Sequence, residues 1–157
     1  YINRGAAHHN KGDYITALKD FGFAIEIDPN STDALISRAT TFRLLGEFDK
    51  ALSDLTKAVQ ISGLAKSYYE RALIHTELGN HTQAITDLDA ALKTDRTFSA
   101  AYLSRGLLLM KTGEIESAIN DFDQAIIRLP NSAVAISARG TAWALQGEVS
   151  LSIQDYK

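Results

Sequence analysis

Two rows of charged residues have the spacing to do chemistry. Arg4, Arg38, Arg71, Arg105 and Arg139 each lie eight residues before a glycine, and Asp20, Asp54, Asp87, Asp121 and Asp155 each lie eight residues after it. Five guanidinium groups in a row would make an anion site. Five carboxylates in matching places would neutralise it. If each glycine is the turn between two antiparallel helices, positions equidistant from it meet at similar height. Each Arg is then expected to pair with the Asp of its own unit, partly buried in the groove of the helix pair. The Asp of the preceding unit is the competing partner. A neutralised Arg is a poor anion site, so both rows read as structural ion pairs.

The other reactive side chains give no catalytic pattern. His8 and His75 occupy one slot of the repeating pattern and read as packing residues, as does His81, which takes the place of Tyr14 and Phe48. His9 follows His8 directly and faces another side of a helix, so the two cannot easily chelate one metal. No H-E-x-x-H, G-x-x-x-x-G-K-[ST] or G-x-G-x-x-G run is present. Nothing pairs a nucleophile with a base and an orienting carboxylate. No enzyme activity, metal or cofactor is expected of this region.

The positioning elements follow from the glycines Gly12, Gly46, Gly79, Gly113 and Gly147, spaced 34, 33, 34 and 34 residues apart. A fixed period of this size marks a stacked repeat array. Each unit divides at its glycine, as in Ser99 to Thr112 and Ile115 to Arg128. Tyr102, Gly106 and Leu109, then Ala118, Ile119, Phe122, Ala125 and Ile126, recur at three- and four-residue spacing, which is helical periodicity. The glycines are placed to stop the first helix in a left-handed conformation. Asp13 and Asn80 suit an N-cap for the second helix. Small residues recur seven before the glycine (Gly5, Ala39, Ala72, Gly106, Gly140), and a mid-helix Gly is tolerated where another helix passes close. Ala17, Ala51, Ala84 and Ala118 are their expected partners. Phe21, Leu55, Leu88, Phe122 and Tyr156 are expected to wedge against the neighbouring unit. The links after the second and third units, Ser62-Gly63-Leu64 and Asp95-Arg96-Thr97, lack the proline found at Pro29 and Pro130. Gly63 is the place where the angle between units is freest to change.

The small–large–small pattern in register resembles the tetratricopeptide repeat, a helix–turn–helix unit of 34 residues. The resemblance covers the whole chain as one array with units 1–31, 32–64, 65–98, 99–132 and 133–157. It implies an all-α fold: a right-handed superhelical solenoid of antiparallel helix pairs, about five repeats with the terminal ones truncated. The chain starts and stops inside a unit, which reads as a piece of a longer protein.

In this family the first helices line a concave face, so the resemblance implies a groove for a peptide or partner there. Residues ten, nine and six before each glycine should point into it. The candidate groove residues are Ile2, Asn3, Ile36, Ser37, Thr40, Tyr69, Glu70, Leu73, Leu103, Ser104 and Leu107, with Lys66 beside them. Tyr69, Leu73, Leu103 and Leu107 are the expected anchors, and Glu70 and Lys66 would fix register. Family members that grip a C-terminal carboxylate use a Lys, Arg and Asn cluster. Here Ile, Ala and Ser stand at most of those places, which leaves an apolar trough suited to an amphipathic helix or extended apolar segment.

Composition agrees with a non-catalytic interaction scaffold. The chain has 157 residues, 22% charged, with a net charge of −3 and signs interspersed, so no basic stripe exists for nucleic acid. Apolar runs such as Leu107 to Met110 are far too short to enter a bilayer as a span. With no cysteine, disulfides are excluded and the redox compartment is left open, with a soluble, cytoplasmic setting favoured. Two other functions fit the same sequence: a substrate- or partner-recruiting arm of a larger enzyme, and a structural solenoid that self-associates through its ends.

Overall fold

The computed structural model describes residues 1–156, which form helices and turns with no strand among them. The helices fall into two compact units, Tyr1–Asn80 and a second from His81 onward. The division lies between the two helices of the third repeat. The first unit holds α1 (Ile2–Asn10), α2 (Tyr14–Ile27), α3 (Thr32–Leu44), α4 (Phe48–Ser62) and α5 (Ala65–Glu77). The second holds α6 (His81–Thr94), α7 (Ser99–Thr112), α8 (Ile115–Arg128), α9 (Ala133–Gln146) and α10 (Val149–Asp155).

Within each unit the helices pack as neighbours in sequence. α1 packs on α2, α2 on α3, α3 on α4 and α4 on α5; α6 packs on α7, α7 on α8, α8 on α9 and α9 on α10. A lone pair cannot bury both of its apolar faces, so stability comes from stacking the next helix onto it.

The turn is a helix stop built by glycine. Gly12, Gly46, Gly79, Gly113 and Gly147 have φ of 81°, 74°, 76°, 92° and 87°. The residue after each glycine donates its N–H back to the carbonyl five residues earlier: Glu47 to Phe42 at 2.9 Å, Asn80 to His75 at 2.8 Å, Glu114 to Leu109 at 2.8 Å. That bond satisfies a carbonyl the helix end would leave orphaned, and it needs the left-handed residue in between. Asp13 then accepts from the Thr16 N–H at 3.2 Å and starts α2. Gly63, with φ 57° and ψ 24°, also ends α4 in the left-handed region, but there the Leu64 N–H goes to the Ser62 hydroxyl at 3.4 Å.

The link at Arg96 is held differently. Asp95 accepts from the Thr97 N–H at 2.8 Å and from its hydroxyl at 2.6 Å. Arg128, on α8, donates to the Arg96 carbonyl at 2.7 Å and lies 4.5 Å from the centre of the Tyr102 ring. These bonds fix a link that has no proline to stiffen it.

The small residues meet a different partner from the one expected. A β-carbon on Gly5 would lie 2.7 Å from the Phe21 ring, and one on Gly106 would lie 2.6 Å from the Phe122 ring. On Gly140 it would lie 3.1 Å from Tyr156. The large residue therefore covers the small residue of its own pair, and it also reaches the next repeat as expected, Phe122 clustering with Ala138 and Ala142 and Leu55 with Ile74. The alanine one turn away contributes backbone only, as with the Ala118 carbonyl 3.2 Å from the Gly106 position. Where the pair is Ala39 and Leu55, both are fully buried in one cluster with Ala51, Ala58 and Ile74. Glycine accompanies the aromatic ring and alanine accompanies leucine because the two side chains share one volume.

Candidate functional site

The charged rows are joined inside the helix pairs. Arg4 donates to both carboxylate oxygens of Asp20 at 2.8 and 2.5 Å, and Arg38 to those of Asp54 at 2.7 and 2.8 Å. Arg105 binds Asp121 twice at 2.7 Å, and Arg139 binds Asp155 at 2.8 and 2.5 Å. Equal distance from an antiparallel turn brings each fork to its carboxylate, and the bidentate geometry suits guanidinium. The aspartates are buried while the arginines keep an outer edge in solvent; Asp121 and Arg105 have side-chain exposures of 6% and 23%. Hydrogen bonds from Arg4 hold the Asp20 carboxyl below its usual range. The Arg38, Arg105 and Arg139 guanidiniums are pushed up chiefly by hydrogen bonds to Asp54, Asp121 and Asp155. Arg71 and Asp87 belong to different units; within the first, Arg71 lies 3.5 Å from the Thr56 hydroxyl.

A further set of carboxylates joins the ladder beyond the two rows that the sequence marks. Arg105 also donates to Asp89 at 2.6 Å, and Arg139 to Asp123 at 2.5 Å. Both aspartates lie ten residues after a turn glycine, on the second helix of the preceding pair. Gly22 and Thr56 hold that place in the first unit. With two carboxylates each, Arg105 and Arg139 are over-neutralised and make poor anion sites.

The first helices lie beside one another within each unit. α1 approaches α3 and α3 approaches α5; α7 approaches α9. On the first unit's row, Ile2, Ser37, Thr40, Tyr69, Glu70 and Leu73 are half-buried, while Asn3 and Lys66 are exposed. Ile36 is 2% exposed and sits in the core cluster with Leu35 and Ala39, so it offers no surface to a partner. Its neighbours leave no opening at that point because Ile25 and Phe42 pack over the same cluster. On the second unit's row, Leu103 and Ser104 are half-buried and Leu107 is exposed.

The polar atoms of these rows are largely committed. The hydroxyls of Thr40, Thr76 and Thr141 donate to the carbonyls of Ile36, Ala72 and Ser137 at 2.9, 2.8 and 3.0 Å. Each spends its donor on its own helix. His9 Nδ1 lies 2.8 Å from the Thr41 hydroxyl, whose proton goes to the Ser37 carbonyl at 2.8 Å, so the imidazole is the donor. Arg43 is bound to Glu77 at 2.5 Å. Burial raises the Glu70 carboxyl above its usual range, with Arg43 and Lys66 pulling the other way. The surfaces are thus largely apolar and hydroxyl-lined, with charges at Arg43, Lys66, Glu70, Glu77 and Lys111.

Among the described residues no group of His, Asp and Glu is placed to hold a metal ion. None of the helices is long and apolar enough to cross a membrane.

Solved structures share this arrangement. MamA superposes with a TM-score of 0.87 at 24% identity, covering 99% of this chain and 92% of that one. YrrB, described as a TPR protein with an unusual peptide-binding site, gives 0.77 at 18% identity over 99% and 80%. At these identities the likeness shows the fold, an all-helical TPR solenoid. Among curated relatives, tetratricopeptide repeat protein 36 of Homo sapiens is 33% identical over 101 residues, which is 61% of this chain and 53% of that protein. A tetratricopeptide repeat and J domain-containing co-chaperone of Cryptococcus neoformans is 32% identical over 85 residues, 54% of this chain and 16% of that protein. The chain thus spans about half of one relative and a sixth of the other. Family models described as tetratricopeptide repeat match residues 69–133 and 103–157, and another matches 1–31. With the turn glycines, the packed helix pairs and these matches in agreement, the chain belongs to the tetratricopeptide repeat family.

Proposed function

We propose that the chain is a non-catalytic protein–protein interaction scaffold whose first-helix rows hold an apolar peptide or helix. The observation that carries this is the spent hydroxyl donors: Thr40, Thr76 and Thr141 bond carbonyls four residues earlier on their own helices, in the rows that hold the partly open Tyr69, Leu73, Leu103 and Leu107. A surface of methyls, rings and leucines with few free donors recognises a segment by buried apolar area. The peptide-binding site named for YrrB supports the same reading by likeness of fold. A clamp for a terminal carboxylate is disfavoured, because Arg43 is already bound to Glu77 and only Lys66 stands near.

The test is selection of ligands from a random peptide library on the 157-residue chain, followed by calorimetric titration of the enriched peptides. Tyr69→Ala and Leu103→Ala should each weaken binding about tenfold or more, with helicity unchanged. Retained affinity in both variants would overturn the assignment. Since the chain spans only part of its relatives, the second reading is a recruiting arm of a longer protein, which the same surfaces would serve.

A further inference from the structure

Three arginines of the ladder use the third nitrogen of the fork in one way. Arg105 Nη1 donates to Asp89 at 2.6 Å, Arg139 Nη1 to Asp123 at 2.5 Å, and Arg71 Nη1 to the Thr56 hydroxyl at 3.5 Å. Each acceptor stands ten residues after a turn glycine, on the second helix of the preceding pair. Arg38 is built like them: its Nε and Nη2 hold Asp54 at 2.7 and 2.8 Å, and its side chain is 26% exposed. The residue ten after Gly12 is Gly22, and among the described residues nothing accepts from Arg38 Nη1. A β-carbon on Gly22 would meet nothing within 4 Å. We propose that this cleft between α2 and α3 is a carboxylate site. It takes an Asp or Glu side chain of a partner protein in the place that Asp89 and Asp123 fill elsewhere in the chain.

The surrounding charge favours an anion. At the equivalent place in the second unit, Glu116, Asn120, Asp123 and Ile127 line one cavity with Arg139. In the same register α2 carries Ile15, Lys19, Gly22 and Glu26, with Arg38 in the place of Arg139. Two carboxylates of that cavity are lost and a lysine is gained; the opposing charge is Glu26, which is exposed. A second carboxylate on a ladder arginine is a geometry the chain already adopts twice, and a charged acceptor binds a guanidinium edge more strongly than a neutral one. The neighbouring side chains point to a protein segment as the carrier. Ile15, 71% exposed, holds the place of Asp49, Thr82 and Glu116, and Phe23, 47% exposed, that of Lys57, Ala90 and Gln124. Both are large and apolar where the later pairs carry polar or small residues. Asp49, Thr82 and Glu116 are exposed too, so this place faces solvent in the later pairs as well. A free anion gains nothing from Ile15 and Phe23, whereas an acidic residue carried between apolar ones buries them. The site lies on a second helix and does not depend on the first-helix rows.

The test uses the whole chain, isotopically labelled for NMR, and three probes. These are an alanine-based helical peptide with one Asp and a Leu four residues to either side, the same peptide with Asn, and sodium acetate. The Asp peptide should shift the signals of Lys19, Gly22 and the Arg38 side chain, and bind about fivefold or more tightly than the Asn peptide. Gly22→Asp supplies a carboxylate from the chain itself. It should weaken the Asp peptide about tenfold or more, and it should melt at a higher temperature than Gly22→Asn, which has the same shape without the charge. Lys19→Ala, at an exposed site, should weaken the Asp peptide and leave the Asn peptide unchanged. No shift at these residues with the Asp peptide overturns the proposal, and so does equal affinity for the two peptides or undiminished binding by Gly22→Asp. If Gly22→Asp melts no higher than Gly22→Asn, Arg38 Nη1 does not reach the place and the proposal falls. Acetate that shifts the same signals at the same affinity as the Asp peptide gives the cleft to a small free anion and overturns the partner segment.

Discussion

The Phe122 ring lies 2.6 Å from the point that a β-carbon on Gly106 would occupy. The two residues therefore share one volume, and neither can change alone without a cost. Gly106→Ala should destabilise the chain by about 1–3 kcal/mol through overpacking. Phe122→Leu should cost about 1 kcal/mol or more by opening a void. The double variant recreates the Ala39 and Leu55 pair and should recover at least about 1 kcal/mol of the summed loss. Chemical denaturation of the four proteins measures this; additive losses would show that the two side chains do not compete for space.

The ion pairs give a second expectation. Asp121→Ala removes two hydrogen bonds from Arg105 and leaves Asp89, which is more exposed, as its carboxylate. The pair lies between a buried and a surface bridge, so the loss should be about 2 kcal/mol. Asp89→Ala, by contrast, removes a solvent-facing partner and should cost below about 1 kcal/mol. Equal midpoints for wild type and Asp121→Ala in thermal unfolding would refute a structural role for the ladder.

Two carboxylates should answer pH with opposite signs. Asp20 is held below its usual range by Arg4, so its contribution is complete above the unfolded value of about 3.9 and is lost as pH falls further. Glu70 is raised by burial, so its charged form weighs against folding at neutral pH and is relieved as pH falls toward about 4.3. Glu70→Gln should therefore raise the melting temperature at pH 7, with the gain shrinking toward pH 4. Asp20→Asn should lower the melting temperature at pH 7, with the deficit shrinking below pH about 3.9. Melting curves from pH 3 to 8 read both.

Glycines in the two settings should also diverge. Gly113 has φ of 92° with nothing near its missing β-carbon, so Gly113→Ala is strained by its backbone alone and should cost about 1 kcal/mol. Gly22 sits inside α2 with equally open space and no positive φ. Gly22→Ala should stabilise by about 0.5–1 kcal/mol through helix propensity. A loss at Gly22 would show that space there is needed by something other than solvent.

The repeat itself was legible because backbone constraints are written in single residue types. Only glycine takes the left-handed turn cheaply, so Gly12 to Gly147 mark the stop of each first helix, and α7 and α8 have the bounds that the apolar spacing gives. The close partner of Gly106 was harder to read, since Ala118 and Phe122 lie one helical turn apart and spacing cannot choose between them. The signal was the size of the residues: glycine goes with Phe21 and Phe122, alanine with Leu55. Asp89 and Asp123 carry a weaker signature, because Gly22 and Thr56 hold the same place in the first two pairs and Asp recurs there only twice. Ile36 looked like a groove residue because its slot also holds Tyr69 and Leu103, and an aliphatic side chain does not say which way its helix is rotated. The candidate surfaces were legible only as slots, since binding residues differ from one repeat to the next by their nature.

Arg105 and Arg139 each hold carboxylates from two successive helix pairs, whereas Gly22 offers Arg38 nothing at the corresponding place. In a chain of nearest neighbours, such a shared guanidinium is a coupling between adjacent modules, not an addition to either. The second unit is therefore stitched through the ladder itself, whereas the first joins its pairs by Arg43 with Glu77 and His9 with Thr41, outside the ladder. Amide hydrogens in α8 and α9 should accordingly open together, while those around Gly22 fray one helix at a time.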